Sequence, residues 1–141
     1  MNTFHLEILS PERQFYRGEC LSLVIPISDG LLGIMANHSP LTAAIQDGEL
    51  TFTKPGGEKT VCAVTNGMVD VTGKVVKVLC ESVLLPEEID EEKERRSKDE
   101  ALLQLKNKQG HKDYVLSKLA LAKAVNNLRV KQHSKGKNTH L

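Results

Sequence analysis

From Phe4 to about Val83 the chain alternates apolar and polar positions with a two-residue period, interrupted by Gly, Pro, Asn or Asp roughly every ten residues. This is the pattern of half-buried strands joined by turns. Phe4, Leu6 and Ile8 alternate with His5, Glu7 and Leu9, and Ser10-Pro11-Glu12-Arg13 closes that strand, because proline has no N–H to give to a ladder. Leu21 to Ile27 is a second run, ended by Ser28-Asp29-Gly30. Gly48 to Thr53 sets Leu50 and Phe52 against Thr51 and Thr53, and Lys54-Pro55-Gly56-Gly57 reverses the chain into Thr60 to Val64. Asn66-Gly67 marks another tight turn, and Val69-Asp70-Val71, Thr72-Gly73 and Val75 to Val83 read as a final hairpin. Strands with one apolar face must bury it against another sheet, so roughly seven to ten of them predict a sandwich or flattened barrel.

After Pro86 the strand-forming residues give way to Glu, Lys, Ala and Leu, which helices prefer. Glu87 to about Lys108 is expected to be one helix, acidic in its opening turn, where the helix dipole favours negative charge. Gln109-Gly110-His111 breaks it, glycine being suited to the left-handed position that ends helices. Lys112 to about Gln132 is expected to be a second helix, with Tyr114, Leu121, Val125 and Leu128 on one stripe. A short link between helices implies an antiparallel hairpin. The predicted fold is therefore all-β followed by α: a two-sheet β sandwich over 1–85, an antiparallel two-helix hairpin over 86–133, and a frayed basic tail over 134–141.

Charge sharpens the boundary. Residues 1–85 carry 6 basic and 9 acidic side chains, and residues 86–141 carry 13 and 9. Within the second part, 86–105 holds 4 basic and 8 acidic groups, whereas 106–141 holds 9 basic groups and a single acidic one, Asp113. The whole chain has a net charge of +1, so no global field favours nucleic acid, and at 4% aromatic residues with no Trp there are few platforms for stacking bases. No apolar run approaches the roughly 20 residues that span a bilayer, and Met1-Asn2-Thr3-Phe4-His5 has neither the basic start nor the apolar stretch of a signal peptide. Membrane association is expected only through a partner.

Catalytic and metal-binding signatures do not emerge. Cys20, Cys62 and Cys80 are odd in number and widely spaced, which fits buried thiols in a reducing compartment. The five histidines lack metal-ligand spacing, and Lys54-Pro55-Gly56-Gly57-Glu58-Lys59 reads as a hairpin turn rather than a phosphate loop. The carboxylates of Glu87-Glu88 and Asp90-Glu91-Glu92 stand near Lys93, Arg95 and Arg96 and read as a solvated face with local ion pairs. The expectation is of no enzyme, no metal and no obligatory cofactor.

The informative stretch is Asp29 to Leu41, a turn-rich segment that keeps apolar residues where loops normally become polar. Such loops often meet a partner. Leu32 and Ile34 either point into the sandwich or join that contact; Leu31, Met35 and His38 favour the contact. Gly30-Leu31-Leu32-Gly33-Ile34, His38-Ser39-Pro40-Leu41-Thr42-Ala43-Ala44-Ile45, Gly48, and Leu119-Ala120-Leu121-Ala122-Lys123-Ala124 with Leu128-Arg129-Val130 resemble the epsilon subunits of bacterial F-type rotary ATP synthases. The likeness extends over essentially the whole chain.

The resemblance implies a non-catalytic central-stalk subunit with a β sandwich and a helical hairpin, on the cytoplasmic face of the bacterial plasma membrane, in a proton- or sodium-translocating complex. By that resemblance Ala36, Asn37, His38, Ser39, Pro40 and Leu41 face the gamma subunit, and Asp29, Gly30 and Leu31 meet the membrane c-ring. Leu31 stands where many relatives carry an acidic residue, so Asp29 is expected to supply the polar contact. The resemblance further implies inhibition of ATP hydrolysis through the C-terminal helices, with Lys118, Lys123, Arg129 and Lys131 meeting the catalytic β subunit of the α/β ring. The alternative is a regulatory sensor in which Ile89, Asp90, Lys93 and Lys123 bind ATP weakly. Lys93-Glu94 stands where ATP-binding relatives carry Arg-Ala, and lysine lacks the planar fork that matches phosphate oxygens.

Overall fold

The computed structural model describes residues 2–107 and 111–138, and the side chains of residues 2–105 and 116–134. Met1–Leu85 and Pro86–Leu141 form two compact units.

The first unit contains ten strands: β1 (Phe4–Leu9), β2 (Gln14–Cys20), β3 (Ser22–Ile27), β4 (Gly30–Met35), β5 (Leu41–Ile45), β6 (Gly48–Thr53), β7 (Lys59–Val64), β8 (Gly67–Thr72), β9 (Val75–Cys80) and β10 (Val83–Leu84). They form two five-stranded sheets, ordered β2-β1-β9-β8-β5 and β10-β7-β6-β3-β4. The pairing is antiparallel except between β1 and β9, which run side by side with His5 opposite Val75. Alternation gives each sheet one apolar face. Leu6, Ile8, Val69, Val71 and Val78 from the first sheet, and Leu23, Ile25, Ile34, Leu50, Phe52 and Val64 from the second, are almost wholly buried in one core. Each large side chain so buried contributes roughly 1.5–3 kcal/mol.

Three strands escape the period-two reading. Gly30–Met35, expected as a turn-rich segment, is strand β4, an edge strand paired antiparallel with β3 from Ile27/Gly30 to Ser22/Met35. Its Ile34 is fully buried and Leu32 packs against the core, so these two point inward. Edge strands β2 and β5 also lie outside the expected runs. The expected run from Val75 to Val83 divides into β9 and the start of β10.

Gly67 opens β8, and its need for glycine is steric. A Cβ there would come within 1.9 Å of the Leu79 carbonyl oxygen. The turn before it is held by the Asp47 carboxylate, which accepts the Asn66 N–H at 2.8 Å. All three cysteines are free and buried. Burial pushes the Cys80 thiol up to about 12, with the nearby charge of Asp47 adding to the effect, and burial also raises Cys20.

In the second unit a 3-10 turn (Pro86–Glu88) precedes α1 (Glu91–Asn107) and α2 (His111–Asn138). The first helix starts later than Glu87 because Asp90 caps it: its Oδ1 accepts the N–H groups of Glu92 at 3.1 Å and Lys93 at 3.2 Å. The helices run antiparallel, as Ser117 Oγ donates to Gln104 Oε1 at 2.8 Å and Lys131 Nζ to the Pro86 carbonyl at 2.9 Å. The expected helix break at Gln109-Gly110 lies outside the described residues, as does the Tyr114 side chain. α2 continues past Gln132 to Asn138, so 134–138 of the expected frayed tail are helical.

The stripe on α2 is also corrected. Val125 is exposed at 41%, while Ser117, Ala124, Asn126, Asn127 and Val130 are buried and Leu121 and Leu128 half-buried. Ser117, Ala124, Asn127 and Val130, spaced by seven, three and three, follow one side of the helix, and Val125 lies about 100° round from Ala124. Among the described residues, no helix is long and apolar enough to cross a membrane.

Gly67→Ala is expected to lower stability by about 3 kcal/mol or prevent folding, because backbone must move; urea unfolding measures it. The raised Cys80 value predicts a pH effect of definite sign. The native state keeps this thiol protonated while the unfolded chain ionises near 9.0, so its stabilising contribution is complete below pH 9 and lost as pH rises toward 12. A thiol reagent at pH 8 should therefore label Cys80 only as fast as the protein unfolds.

Candidate functional site

The strand directions sort the turns into two sets. One end of the strands carries Ser10–Arg13, Ser28–Asp29, Gln46–Asp47, Thr65–Asn66 and Glu81–Ser82; the other carries Leu21, Ala36–Pro40, Lys54–Glu58 and Gly73–Lys74. The two predicted contact groups, Asp29–Leu31 and Ala36–Leu41, thus lie at opposite ends of β4. Four strand residues, Leu32–Met35, lie between them, and the five steps from Leu31 to Ala36 span roughly 17 Å. This is about twice the screening length at physiological salt, so charges at one end act nearly independently of those at the other.

The ends differ in sign. The end with Asp29 carries Glu12, Asp29, Asp47 and Glu81 with Arg13, whereas the end with His38 carries Lys54, Lys59 and Lys74 with Glu58. Arg13 spans part of its end, donating from Nη2 to the Val83 carbonyl at 3.0 Å, with its guanidinium 5.2 Å from the centre of the Phe15 ring.

At the other end the loop after β4 is built around Asn37, whose φ of 66° is the one left-handed non-glycine backbone among the described residues. Asparagine tolerates this conformation better than most residues. The turn is closed by the His38 N–H donating to the Met35 carbonyl at 3.3 Å, and His38 Nδ1 lies 2.7 Å from the Ser39 carbonyl oxygen. The first bond holds the His38 backbone, and the second orients its ring. Beside this loop is a cavity of about 480 Å³, lined by Asn2, Leu21, Ser22, Met35, Ala36, Thr53 and Lys59.

Apolar exposure concentrates on β4. Leu31 is 72% and Met35 66% exposed, on the face opposite Ile34. A second apolar row, which the sequence reading missed, crosses the outer face of the first sheet. There Leu79, 53% exposed, pairs with Met68, 46% exposed, in β8 and with Leu9 in β1. A cavity of about 720 Å³ adjoins it, lined in part by Leu9, Pro11, Gln14 and Leu79. The signal was present in Leu79 itself, an apolar residue sharing the strand face of Lys77.

The helical candidates are dispersed. Lys118 and Arg129 are exposed, with Arg129 Nη2 donating to Asn126 Oδ1 at 2.8 Å; Lys123 is half-buried; Lys131 is tied to Pro86. The residues put forward for ATP do not assemble. Ile89 is buried, Asp90 caps α1, and the register set by Ser117 and Gln104 leaves Lys123 about two helical turns from Asp90. The acidic start of α1 instead pairs locally, Arg95 with Glu91 at 3.7 Å and Arg96 with Glu92 at 3.8 Å.

A two-sheet sandwich of this topology followed by two helices defines a known class. Residues 3–86 match the family described as ATP synthase, delta/epsilon chain, beta-sandwich domain. The chain belongs to that family, as an epsilon subunit, which is by family a non-catalytic subunit of ATP synthase. It is 33% identical over 135 residues to the ATP synthase epsilon chain of Caldicellulosiruptor bescii, covering 96% of this chain and 98% of that one. It is 34% identical over 125 residues to the epsilon chain of Ruminiclostridium cellulolyticum, covering 89% and 92%. The fold is shared with a chain in the cryo-EM structure of the OSCP/F1/c-ring of Euglena gracilis mitochondrial ATP synthase. The TM-score there is 0.72 at 20% identity, covering 85% of this chain and 76% of that one.

Asn37→Val should destabilise the sandwich by roughly 1–3 kcal/mol, since a β-branched residue strains the left-handed position, while Asn37→Gly should be nearly neutral. Asp90→Ala should cost the hairpin about 0.5–2 kcal/mol through loss of the cap. Thermal melts of the three variants check these expectations.

Proposed function

We propose that this epsilon subunit is a rotor part that joins the gamma subunit to the membrane c-ring and restrains ATP hydrolysis through its two helices. The observation that carries the reading is the position of the two contact groups at opposite ends of one strand of a close-packed sandwich. Such a body transmits force between two neighbours without deforming, because packed interiors have low compressibility. The acidic end, with Asp29, rests on the c-ring, and the end with His38 grips gamma. The complex sits on the cytoplasmic face of the bacterial plasma membrane, and the epsilon subunit reaches the membrane only through it.

Two features of the second unit support the regulatory role. The buried side of α2 is mostly small and polar, with Ser117 bonded to α1 and Lys131 to the turn before it. Leu103 on α1 and Leu116 and Leu119 on α2, each more than half exposed, stay outside the packed faces. A hairpin so held gives up little apolar burial when it leaves one packing for another. Lys118, Lys123 and Arg129, joined by Lys131 when it releases Pro86, then meet an acidic surface of the catalytic β subunit. Exposed ion pairs contribute about 0–1 kcal/mol each, so several must act together.

Deleting residues 86–141 should leave a folded sandwich that co-purifies with gamma at one to one and should raise ATPase activity of the reconstituted complex. Loss of gamma binding by the folded truncated chain would overturn this division of labour. Charge-neutral replacement of Lys118, Lys123 and Arg129 together should relieve inhibition several-fold, with single replacements having little effect.

A further inference from the structure

We infer that the gamma subunit binds by adding a strand to the free edge of β4 over Leu32–Met35, next to Ala36–Leu41 and clear of Gly30 and Leu31 at the c-ring end; this rests on the proposed function and specifies how its gamma contact is made. β4 ends its sheet, so alternate residues direct N–H and C=O groups away from β3 with no neighbouring strand. Exposed edges are normally blocked by charge, proline or brevity. Among the other edges, β2 carries Arg17 and Glu19, β10 has two residues and runs into Leu85-Pro86, and β5, though uncharged, exposes only the small Thr42 and Ala44. Gly30-Leu31-Leu32-Gly33-Ile34-Met35 has neither charge nor proline over six residues.

The side chains agree with the backbone. Leu31 and Met35 are the most exposed of the large apolar residues described, and Gly33 between them has open space where a Cβ would stand. A partner strand can approach closely there and cover Met35, while Leu31 stays with the c-ring end. Leu32, on the inner face, is only half-buried and would be covered further. The cavity lined by Met35 and Ala36 continues the edge into the loop of His38, which gives the added strand a place to seat a side chain at one end. Strand addition draws affinity from main-chain bonds and specificity from such pockets, which suits an uncharged edge.

Residue-resolved hydrogen exchange on the full chain, alone and with its cognate gamma subunit, tests this. The expected result is that alternate amides of β4, those not already bonded to β3, slow by about 100-fold or more in the complex. Gly33→Lys should weaken gamma binding at least ten-fold while the chain stays folded, whereas Arg17→Ala on β2 should not. Stoichiometric gamma binding with β4 exchange unchanged would overturn strand addition and leave the gamma contact standing. No gamma binding would overturn both. Protection of β4 that grows with chain concentration in the absence of gamma would point to a second copy as occupant and refute the inference.

Discussion

The behaviour of the sandwich depends on the burial of one face of each sheet against the other. Because side chains alternate, the set Leu6, Ile8, Leu23, Ile25, Ile34, Leu50 and Phe52 can occupy the core in only one register, and a slip by one residue would expose all of it. Fixing the register also fixes which turns share an end. Asp29 and His38 lie nine positions apart in sequence but at opposite ends of β4, and they carry opposite surroundings: carboxylates near one and lysines near the other. The two proposed contacts gain this separation from strand length alone.

The second unit follows a different rule. Its described contacts are capped, polar and local: Asp90 on the first turn of α1, Ser117 on Gln104, and Lys131 on Pro86. A hydrogen bond from a charged donor contributes roughly 1.5–3 kcal/mol, comparable with burying one leucine, yet it can be remade with water or another partner on opening. The sandwich is therefore built to keep one shape, and the hairpin is built from interactions that exchange readily.

Strands with polar residues to mark the alternation, such as Phe4–Leu9 and Gly48–Thr53, were legible in the sequence, as was the change to helices at Pro86. Gly30–Met35 was not, because glycine and exposed leucine erase the polar face by which a strand is recognised. β2 was hidden in a similar way by Arg17-Gly18-Glu19, where both sides of an edge tolerate solvent. On α2 the apolar stripe misled, since Ser117, Ala124, Asn126 and Asn127 are buried where hydrophobic periodicity looks for Val125. The contact residues themselves came from the resemblance. Their arrangement at two ends of one strand, and the left-handed turn at Asn37, required the backbone.

The central claim is that one rigid body holds two different neighbours at its two ends. Its most direct measurement is disulfide cross-linking in the assembled complex, comparing Asp29→Cys with His38→Cys against single cysteines placed on gamma and on the c-ring. The native cysteines are buried and do not compete. The account predicts that position 29 links to the ring and position 38 to gamma, with neither exchanging partners through the catalytic cycle. Linkage of both positions to the same neighbour would contradict it.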